Sequence, residues 1–243
     1  MTEHLEVLYF DEHLVAINKP SGLLVHRSPI DRHETRFALQ LLRDQIGQRV
    51  YPVHRLDKPT SGVLLFGLSP AIARDLSNQF ANRTVKKEYL AVLRGYCPER
   101  GSIEHPLVEK LDKMADRDRD TERPAQQAQT DFTRLATVEI PFEIDRYPQS
   151  RYSLVKLNPL TGRRHQLRRH MKHIGHPIIG DAKHGKGLHN RFFKAHYNCG
   201  RLLLACTMLT VAHPVSEQEL VLRAGIGEEF SRLLDDFSWS HFC

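Results

Sequence analysis

Short apolar segments of strand length recur along most of this chain, and turn residues separate many of them. Near the N-terminus, Leu5, Val7 and Tyr9 fall on one face of a strand pattern, "FDEH" makes a turn, and "LVAINKP" follows as a second apolar run. This arrangement predicts a β-hairpin that leads into a Pro-Ser-Gly turn at residues 20–22. Further strand patterns occur at "VLLF" (63–66), "VKKEYLAVLRG" (85–95), "TDFTRLATV" (130–138), "RYSLVKL" (151–157) and "RLLLACTMLTVAHP" (201–214).

Helical spacing is found in two segments. Ser69 precedes Pro70, and Ile72, Leu76 and Phe80 recur at helical intervals, which predicts a helix of about 12 residues. A second helix is predicted to begin near Arg164, with an apolar stripe formed by Leu167, Met171 and Ile174. Because strands outnumber helices and several strands look hairpin-linked, we expect an α+β fold: a mixed, largely antiparallel central β-sheet flanked by helices and loops.

The chain shows neither an internal repeat nor a linker, so a single domain over residues 1–243 is expected. Residues 109–130, "EKLDKMADRDRDTERPAQQAQT", are charged and poor in large apolar side chains. Such a segment cannot bury enough surface to fold alone, and a mobile charged insertion or long hairpin loop is predicted there.

Composition narrows the class of protein. The net charge of +6 favours a polyanionic partner. The four cysteines, Cys97, Cys199, Cys206 and Cys243, have no CxxC or small-domain spacing, which is typical of a reduced cytoplasmic protein. The N-terminus has no signal-peptide pattern and no apolar run is long enough for a membrane span, so no membrane association is expected.

The histidines between residues 165 and 176 raise the question of a metal site. These side chains are His165, His170, His173 and His176. They form neither an HExxH motif nor a zinc-finger spacing, and they alternate with arginines that repel a divalent cation, so no metal is expected.

Asp57 is the most conspicuous carboxylate, because it lies between Arg55 and Lys58 just before an apolar run. Three roles fit the residue type. It could form a structural ion pair with Arg55 or Lys58, cap the turn before Pro59, or serve as a catalytic carboxylate. The local pattern does not choose among them.

The predicted second helix is basic over much of its circumference. Arg164, Arg168 and Lys172 form a positive stripe beside the apolar one, and Arg169 and His173 lie on another face. This pattern is compatible with a solvated helix face, with a surface that contacts phosphates, or with an arginine directed at a buried carboxylate.

Five ordered segments resemble the motif set of the RluA-type pseudouridine synthases. They are "NKPSGLLVH" (18–26), "HRLDKPTSGVLLF" (54–66), "KKEYLAVLRG" (86–95), "TGRRHQLRRHM" (161–171) and "HPIIGD" (176–181). The resemblance implies the pseudouridine synthase catalytic fold and an isomerase that acts on a flipped-out uridine without a cofactor. It departs from the family at Ala205-Cys206, where family members usually show His-Ala.

The stretch 26–48 resembles most closely the family members that modify tRNA. The first motif begins at Asn18, which leaves no room for an N-terminal S4-type RNA-binding domain. We therefore expect a monomeric enzyme that acts on tRNA, at position 65 in the stem of the T arm. The alternatives are a ribosomal-RNA or multi-site synthase of the same family, and a non-catalytic RNA-binding module.

The resemblance also implies roles for individual residues. Asp57 is the expected catalytic carboxylate, Tyr89 the aromatic that stacks on the flipped base and assists removal of the C5 proton, and Arg168 the partner of Asp57. Arg55 is expected to fill the gap that the base leaves, and Leu167 to form an apolar wall. The expected RNA-contact residues are Arg163, Arg164, Arg169 and Lys172.

Overall fold

A computed structural model of the chain describes residues 4–27, 34–108 and 124–242. In chain order the strands are β1 (Glu6–Phe10), β2 (Leu14–Lys19), β3 (Tyr51–Pro52), β4 (Ser61–Gly67), β5 (Lys86–Arg94), β6 (Arg100–Glu104), β7 (Gln129–Ile140), β8 (Ser150–Pro159), β9 (Leu204–Ala212) and β10 (Glu219–Arg223). The helices are α1 (Ala38–Ile46), α2 (Pro70–Ala81), α3 (Gln166–His173), α4 (Gly187–His196), α5 (Glu228–Asp236) and a short 3-10 helix (Ser240–Phe242).

All ten of these strands join one sheet, in the order β1-β2-β4-β9-β5-β8-β7-β6, with β3 paired to β4 and β10 paired to β9. Neighbouring strands are antiparallel except β4 and β9, which run parallel where Ser61 faces Ala205 and Gly62 faces Cys206. The expected α+β class and the mixed, largely antiparallel sheet are confirmed.

The central strand β5 is covered on both faces. Ala91 and Leu93 pack with Leu167 and Met171, two residues of α3. Leu90 and Val92 pack on the other side, in a cluster that contains the α4 and α5 side chains Phe193, Phe230 and Leu233. Since successive strand residues point to opposite faces, α3 lies on one face of the sheet and α4 and α5 lie on the other.

Several local predictions agree with the structure. Strands β1 and β2 form the N-terminal hairpin. Helix α2 has the predicted 12 residues, with Pro70 in its first turn, and the Ser69 hydroxyl oxygen accepts a 3.3 Å hydrogen bond from the Ile72 N–H. Helix α3 begins at Gln166, later than the predicted start near Arg164, because His165 adopts a left-handed conformation (φ 55°) as its N-cap residue.

The charged insertion was predicted over residues 109–130, of which 109–123 lie outside the described residues. Its C-terminal boundary is wrong, because β7 starts at Gln129 and Leu107 already pairs with Gln126. The polar residue Gln129 concealed only the first residue of this strand, whose pattern was predicted from Thr130 onward. Its Thr130 side chain is fully buried and accepts a hydrogen bond from the Gln166 amide in α3.

Gly62 allows the parallel pairing of β4 and β9. Its φ is +110°, and a Cβ atom at this position would lie 2.0 Å from the Cys206 carbonyl oxygen. Both the backbone conformation and the close approach of the two strands therefore require glycine. This pairing holds the start of β4, and the Asp57 loop before it, against β9.

We predict that Gly62→Ala lowers the free energy of unfolding by at least about 2 kcal/mol, since φ strain and a backbone clash act together. Urea unfolding measures the change. Gly162→Ala is the control, because Gly162 has no positive φ and a Cβ atom added there would meet no heavy atom within 4 Å. Equal stabilities of the two variants would contradict the close-approach explanation.

Candidate active site

A cavity of about 580 Å³ opens between the loop that precedes β4, strand β5, the end of β8 and helix α3. Its described lining contains a single carboxylate, that of Asp57. The cationic side chains of the lining are Arg55, Arg83, Lys87, Arg163, Arg164 and Arg168. A cavity with one acidic group inside a cationic rim is suited to hold part of a polyanion next to that acid.

The loop that carries Asp57 is tied to the turn at residues 20–22. The Thr60 N–H donates to the Asp57 carbonyl (3.0 Å), and the Gly22 N–H donates to the Lys58 carbonyl (2.8 Å). The fully buried Lys19 ammonium donates to the carbonyls of Pro20, Leu23 and Lys58. The two sequence motifs "NKPSG" and "HRLDKP" therefore form one hydrogen-bonded unit.

The charge state of Lys19 reflects this burial. Desolvation is the main cause that lowers the pKa of Lys19 to about 7, and the charge of Arg201 adds to it, while the charge of Asp57 acts in the opposite direction.

The Asp57 carboxylate is held by Arg168. The Arg168 Nη1 donates to Asp57 Oδ2 at 3.1 Å, and the Asp57 side chain keeps 21% of its exposure, directed into the cavity. The Nζ atom of Lys58 instead lies 2.6 Å from the Oε1 atom of Glu34, and the Arg55 side chain is exposed. Of the three roles compatible with the sequence, pairing with the neighbouring cations is therefore not what the structure shows.

Arg168 binds a second carboxylate more tightly than the first. Its Nε and Nη2 donate to Asp181 at 2.7 Å and 2.8 Å, and both side chains are buried. Burial alone lowers the pKa of Arg168, but the hydrogen bonds and charge of Asp181, followed by those of Asp57, outweigh it and raise the pKa. A two-pronged ion pair of this kind fixes the guanidinium plane, and hence the position of Nη1.

Arg168 therefore does not belong to the positive stripe predicted with Arg164 and Lys172. It lies on the buried face of α3, and its charge is compensated by two carboxylates. The helical spacing placed Arg168 on the wrong face, because a residue adjacent to an apolar stripe can point into the core when a buried partner is present. Of the alternatives for this helix, an arginine directed at a buried carboxylate is the correct one for Arg168.

Asp181 is a site residue that the sequence reasoning missed. It follows the buried pair Ile178-Ile179 and accepts hydrogen bonds from the backbone N–H groups of Lys183 and His184, both at 2.9 Å. Burial raises the pKa of Asp181, but the Arg168 hydrogen bond and the two N–H groups outweigh that effect and lower it. The only sequence feature that indicated Asp181 was its position as the last residue of the "HPIIGD" motif.

Tyr89 forms an aromatic wall of the cavity. Burial, followed by the neighbouring Cys206 thiol, raises the pKa of Tyr89 well above its usual value. Burial likewise raises the pKa of Cys206 to about 12. The cysteine that departs from the family pattern is thus the cross-strand partner of Tyr89 and belongs to the buried cluster against which Tyr89 packs.

The other expected site residues are distributed around the cavity. Leu167 is buried in its wall, and Arg55, Arg163 and Arg164 line it. Arg169 and Lys172 do not line it, and the Arg169 Nη1 donates to the Val108 carbonyl at 2.9 Å. Two cations that were not predicted, Arg83 and Lys87, do line it. Burial lowers the pKa of Lys87.

The structure also bears on metals and membranes. Within the described ranges, no group of three or more His, Cys, Asp or Glu side chains could hold a metal ion. His170 instead contacts the Thr130 hydroxyl (3.0 Å) and the His105 carbonyl (3.1 Å). In the same part of the chain, no helix has the length and apolar character needed to cross a bilayer.

The chain was compared with known proteins. The profile of the family described as RNA pseudouridylate synthase matches residues 13–173. The chain is 50% identical over 235 residues to tRNA pseudouridine synthase C of Vibrio cholerae, covering 97% of this chain and 96% of that protein. It is 51% identical over 235 residues to tRNA pseudouridine synthase C of Pasteurella multocida, with 97% of each chain covered.

A solved structure supports the same relationship. Human RNA pseudouridylate synthase domain containing 4 superposes with a TM-score of 0.71 at 26% identity, covering 96% of this chain and 93% of that one.

We predict that Asp181→Asn lowers the free energy of unfolding by about 3 kcal/mol at pH 7. The substitution leaves the buried Arg168 guanidinium with one charged partner, Asp57, instead of two. The folded-state pKa of Asp181 lies below its ordinary 3.8. The stability it contributes is therefore present above pH 3.8 and is lost as the pH falls through the folded pKa.

The stability difference between wild type and Asp181→Asn should accordingly shrink below about pH 4. Urea unfolding at pH 7 and downward, as far as the wild type stays folded, checks this. Asp44→Asn is the control, because its carboxylate is 66% exposed and pairs with Arg43 on the surface. A difference independent of pH would rule out the ionised pair as its source.

Proposed function

The chain belongs to the RNA pseudouridylate synthase family, and from this membership and the Asp57 cavity we propose that it converts a uridine of tRNA to pseudouridine, with Asp57 as the catalytic carboxylate. The observation that carries the proposal is the lone carboxylate of the cavity's described lining, held by Arg168 at 3.1 Å and facing a space of about 580 Å³. That volume accommodates a flipped nucleoside.

The reaction breaks the bond between N1 and C1′ of uridine and forms a bond between C5 and C1′. The product is an isomer, so the chemistry consumes nothing. Asp57 can add to C6 of uracil, attack C1′ of the ribose, or take part in a glycal route, and all three require an ionised carboxylate. Arg168 donates a hydrogen bond to this carboxylate at 3.1 Å and orients it.

The remaining cavity residues would bind the flipped nucleotide. Tyr89 supplies a flat face for stacking, and Leu167 an apolar surface beside it. Arg55 is exposed at the edge of the cavity, where its side chain can occupy the gap left in the base stack. This assignment is supported by the position of the three side chains around Asp57.

The substrate is inferred from charge and from the relatives. Arg55, Arg83, Lys87, Arg163 and Arg164 surround the cavity without a second carboxylate in its described lining, which suits a phosphate backbone. The relatives from Vibrio cholerae and Pasteurella multocida carry the name tRNA pseudouridine synthase C. Position 65 in the T-arm stem is the proposed target uridine.

The organisation of the protein belongs to the same proposal. One sheet collects strands from Glu6 to Arg223, which supports a single catalytic domain. Cys97, Cys199 and Cys206 are free thiols, in keeping with the reducing cytoplasm. A monomer that works without metal or cofactor stays a prediction.

We predict that Asp57→Asn lowers turnover by roughly 10⁴-fold or more, because the amide keeps the shape of the carboxylate but not its charge. RNA affinity should hardly change, since many phosphate contacts share the binding energy. The assay combines tritium release from C5-labelled uridine in total tRNA with sequencing-based mapping of the modified position and a binding titration.

Asp75→Asn, on the exposed face of α2, is the matched control and should retain wild-type turnover. Tritium release at the wild-type rate by pure Asp57→Asn would overturn the catalytic assignment. Modification by the wild type at another tRNA position, or in ribosomal RNA, would overturn position 65 while leaving the chemistry intact.

We predict that the pair Arg163 and Arg164 contributes more to RNA binding than the pair Arg169 and Lys172. If all four of these cations contact phosphates, a plot of log affinity against log salt concentration has a slope of about −3 to −4. Replacing Arg163 and Arg164 by alanine should flatten it by somewhat under two units, because both line the cavity. Replacing Arg169 and Lys172 should flatten it less, because neither lines the cavity and Arg169 is engaged with Val108.

The control pair is Lys194 and Arg232, which are exposed on the opposite face of the sheet. Their replacement removes the same charge and should leave the slope unchanged. Equal flattening by the control pair would show a general charge effect rather than an RNA path along α3.

A further inference from the structure

His165 is a cavity residue held in an unfavourable backbone conformation. Its φ of 55° and ψ of 28° lie in the left-handed region, which is uncommon for residues other than glycine, although histidine adopts it more often than most. Such conformations are unfavourable and persist where the surrounding structure requires them. The consequence here is that the imidazole points to Asp57, with Nε2 at 3.9 Å from Oδ2.

The other ring nitrogen of His165 contacts a second imidazole. Nδ1 lies 2.9 Å from Nε2 of His184. His184 is anchored in turn, because its backbone N–H donates to Asp181 at 2.9 Å, the carboxylate that also holds Arg168. His184 is only half-buried and so reaches solvent. A chain of two imidazoles therefore connects the carboxylate side of the cavity to the outside.

Both imidazoles are neutral at physiological pH. Burial lowers the pKa of His165 to about 4; Asp57 acts against this, and Arg168, His184 and Arg164 reinforce it. Burial also lowers the pKa of His184. One proton therefore lies between His165 Nδ1 and His184 Nε2, and its position decides whether Nε2 of His165 is an acceptor or a donor toward the cavity.

The other titratable groups of the described lining are poorly suited to exchange a proton. The acceptor nitrogen of His54 is occupied by the Leu65 N–H, and burial lowers the pKa of His54 to about 3. Asp57 is paired with Arg168. Burial raises the pKa of Tyr89 well above its usual value, so its hydroxyl stays protonated and is a poor acceptor for the C5 proton that the family resemblance assigned to it. Lys87 has no acceptor nitrogen while protonated. Within that lining, His165 alone combines an available nitrogen with a path to solvent.

The proposed reaction requires such an exchange, because uridine carries a proton on C5 and pseudouridine carries one on N1 instead. Resting on the function proposed above, we infer that His165 and His184 form a proton relay that takes the C5 proton from the rejoined base to solvent and returns a proton to N1. His165 is then a catalytic residue and His184 its relay partner.

The steps balance over one cycle. After C5 has bonded to C1′, the C5–H bond breaks, its electron pair forms the C5=C6 bond, and the N1=C6 pair moves to N1. Nε2 of His165 takes the C5 proton, Nδ1 passes its own proton to Nε2 of His184, and His184 releases the proton of its other nitrogen to water. In the reverse direction, Nε2 of His165 gives its proton to N1, Nδ1 of His165 takes a proton back from Nε2 of His184, and water reprotonates the other nitrogen of His184. C5 and N1 both adjoin C6, so one nitrogen can serve both atoms.

The test uses a variant that keeps the structure and removes the relay. Asparagine tolerates the left-handed conformation, and its side-chain amide can take the place of Nδ1 opposite His184, but it does not titrate. His165→Asn is therefore expected to keep its melting temperature and RNA affinity and to lose about 10²-fold or more in the single-turnover rate. A deuterium isotope effect at C5 should increase relative to wild type, and added imidazole should restore part of the rate.

His184→Gln keeps a hydrogen-bond partner for Nδ1 without proton transfer and should show a smaller loss with the same increase in isotope effect. His196→Ala, exposed on α4, is the control and should behave as wild type. If His165→Asn does not fold, His184→Gln alone decides. A wild-type rate and isotope effect in a folded variant, or a loss that imidazole does not restore at all, would overturn the relay. Absence of pseudouridine formation by the wild type would instead overturn the proposed function.

Discussion

The buried ion pair between Arg168 and Asp181 is the interaction on which the rest of the site depends. An arginine with 5% exposure is costly unless its charge is compensated, and Asp181 compensates it with two hydrogen bonds of 2.7 Å and 2.8 Å. Because those bonds use Nε and Nη2, Nη1 is left in a fixed position to hold Asp57. The position of the Asp57 carboxylate is thus set by a residue 124 positions later in the chain, through a shared guanidinium.

The Arg168–Asp181 pair also connects Asp57 with the two imidazoles of the proposed relay. Asp181 also accepts the His184 N–H, and His184 contacts His165 at 2.9 Å, so the carboxylate and the imidazole chain are anchored at one point. On the opposite wall, Tyr89 packs against the buried cluster that contains its cross-strand partner Cys206. Rigid support of this kind keeps the reacting groups in register while the RNA moves in and out.

The cationic side chains of this chain have two different uses, which depend on whether they are buried or line the cavity. Arg168 and the buried Lys19 serve the fold and the site, because carboxylates or backbone carbonyls take up their hydrogen bonds. Arg55, Arg163 and Arg164 line the cavity, where an external polyanion can reach them. A net charge of +6 does not distinguish these uses, since it counts a buried, paired arginine and an exposed one alike.

The sequence by itself determined the local elements. The N-terminal hairpin and helix α2 with Ser69 as its cap follow from short-range periodicity and residue type, which local sterics and hydrophobic burial control. Asp57 was singled out by the order of the motifs that resemble the family, because the local pattern alone left its role open. Asp181, Cys206, Arg83 and the His165–His184 contact were decided only by the tertiary structure. They depend on which strands become neighbours, on the parallel pairing at Gly62 and on a strained N-cap at His165. Long-range packing energy selects these features, and a single sequence contains no periodic signal for the partner of a buried charge.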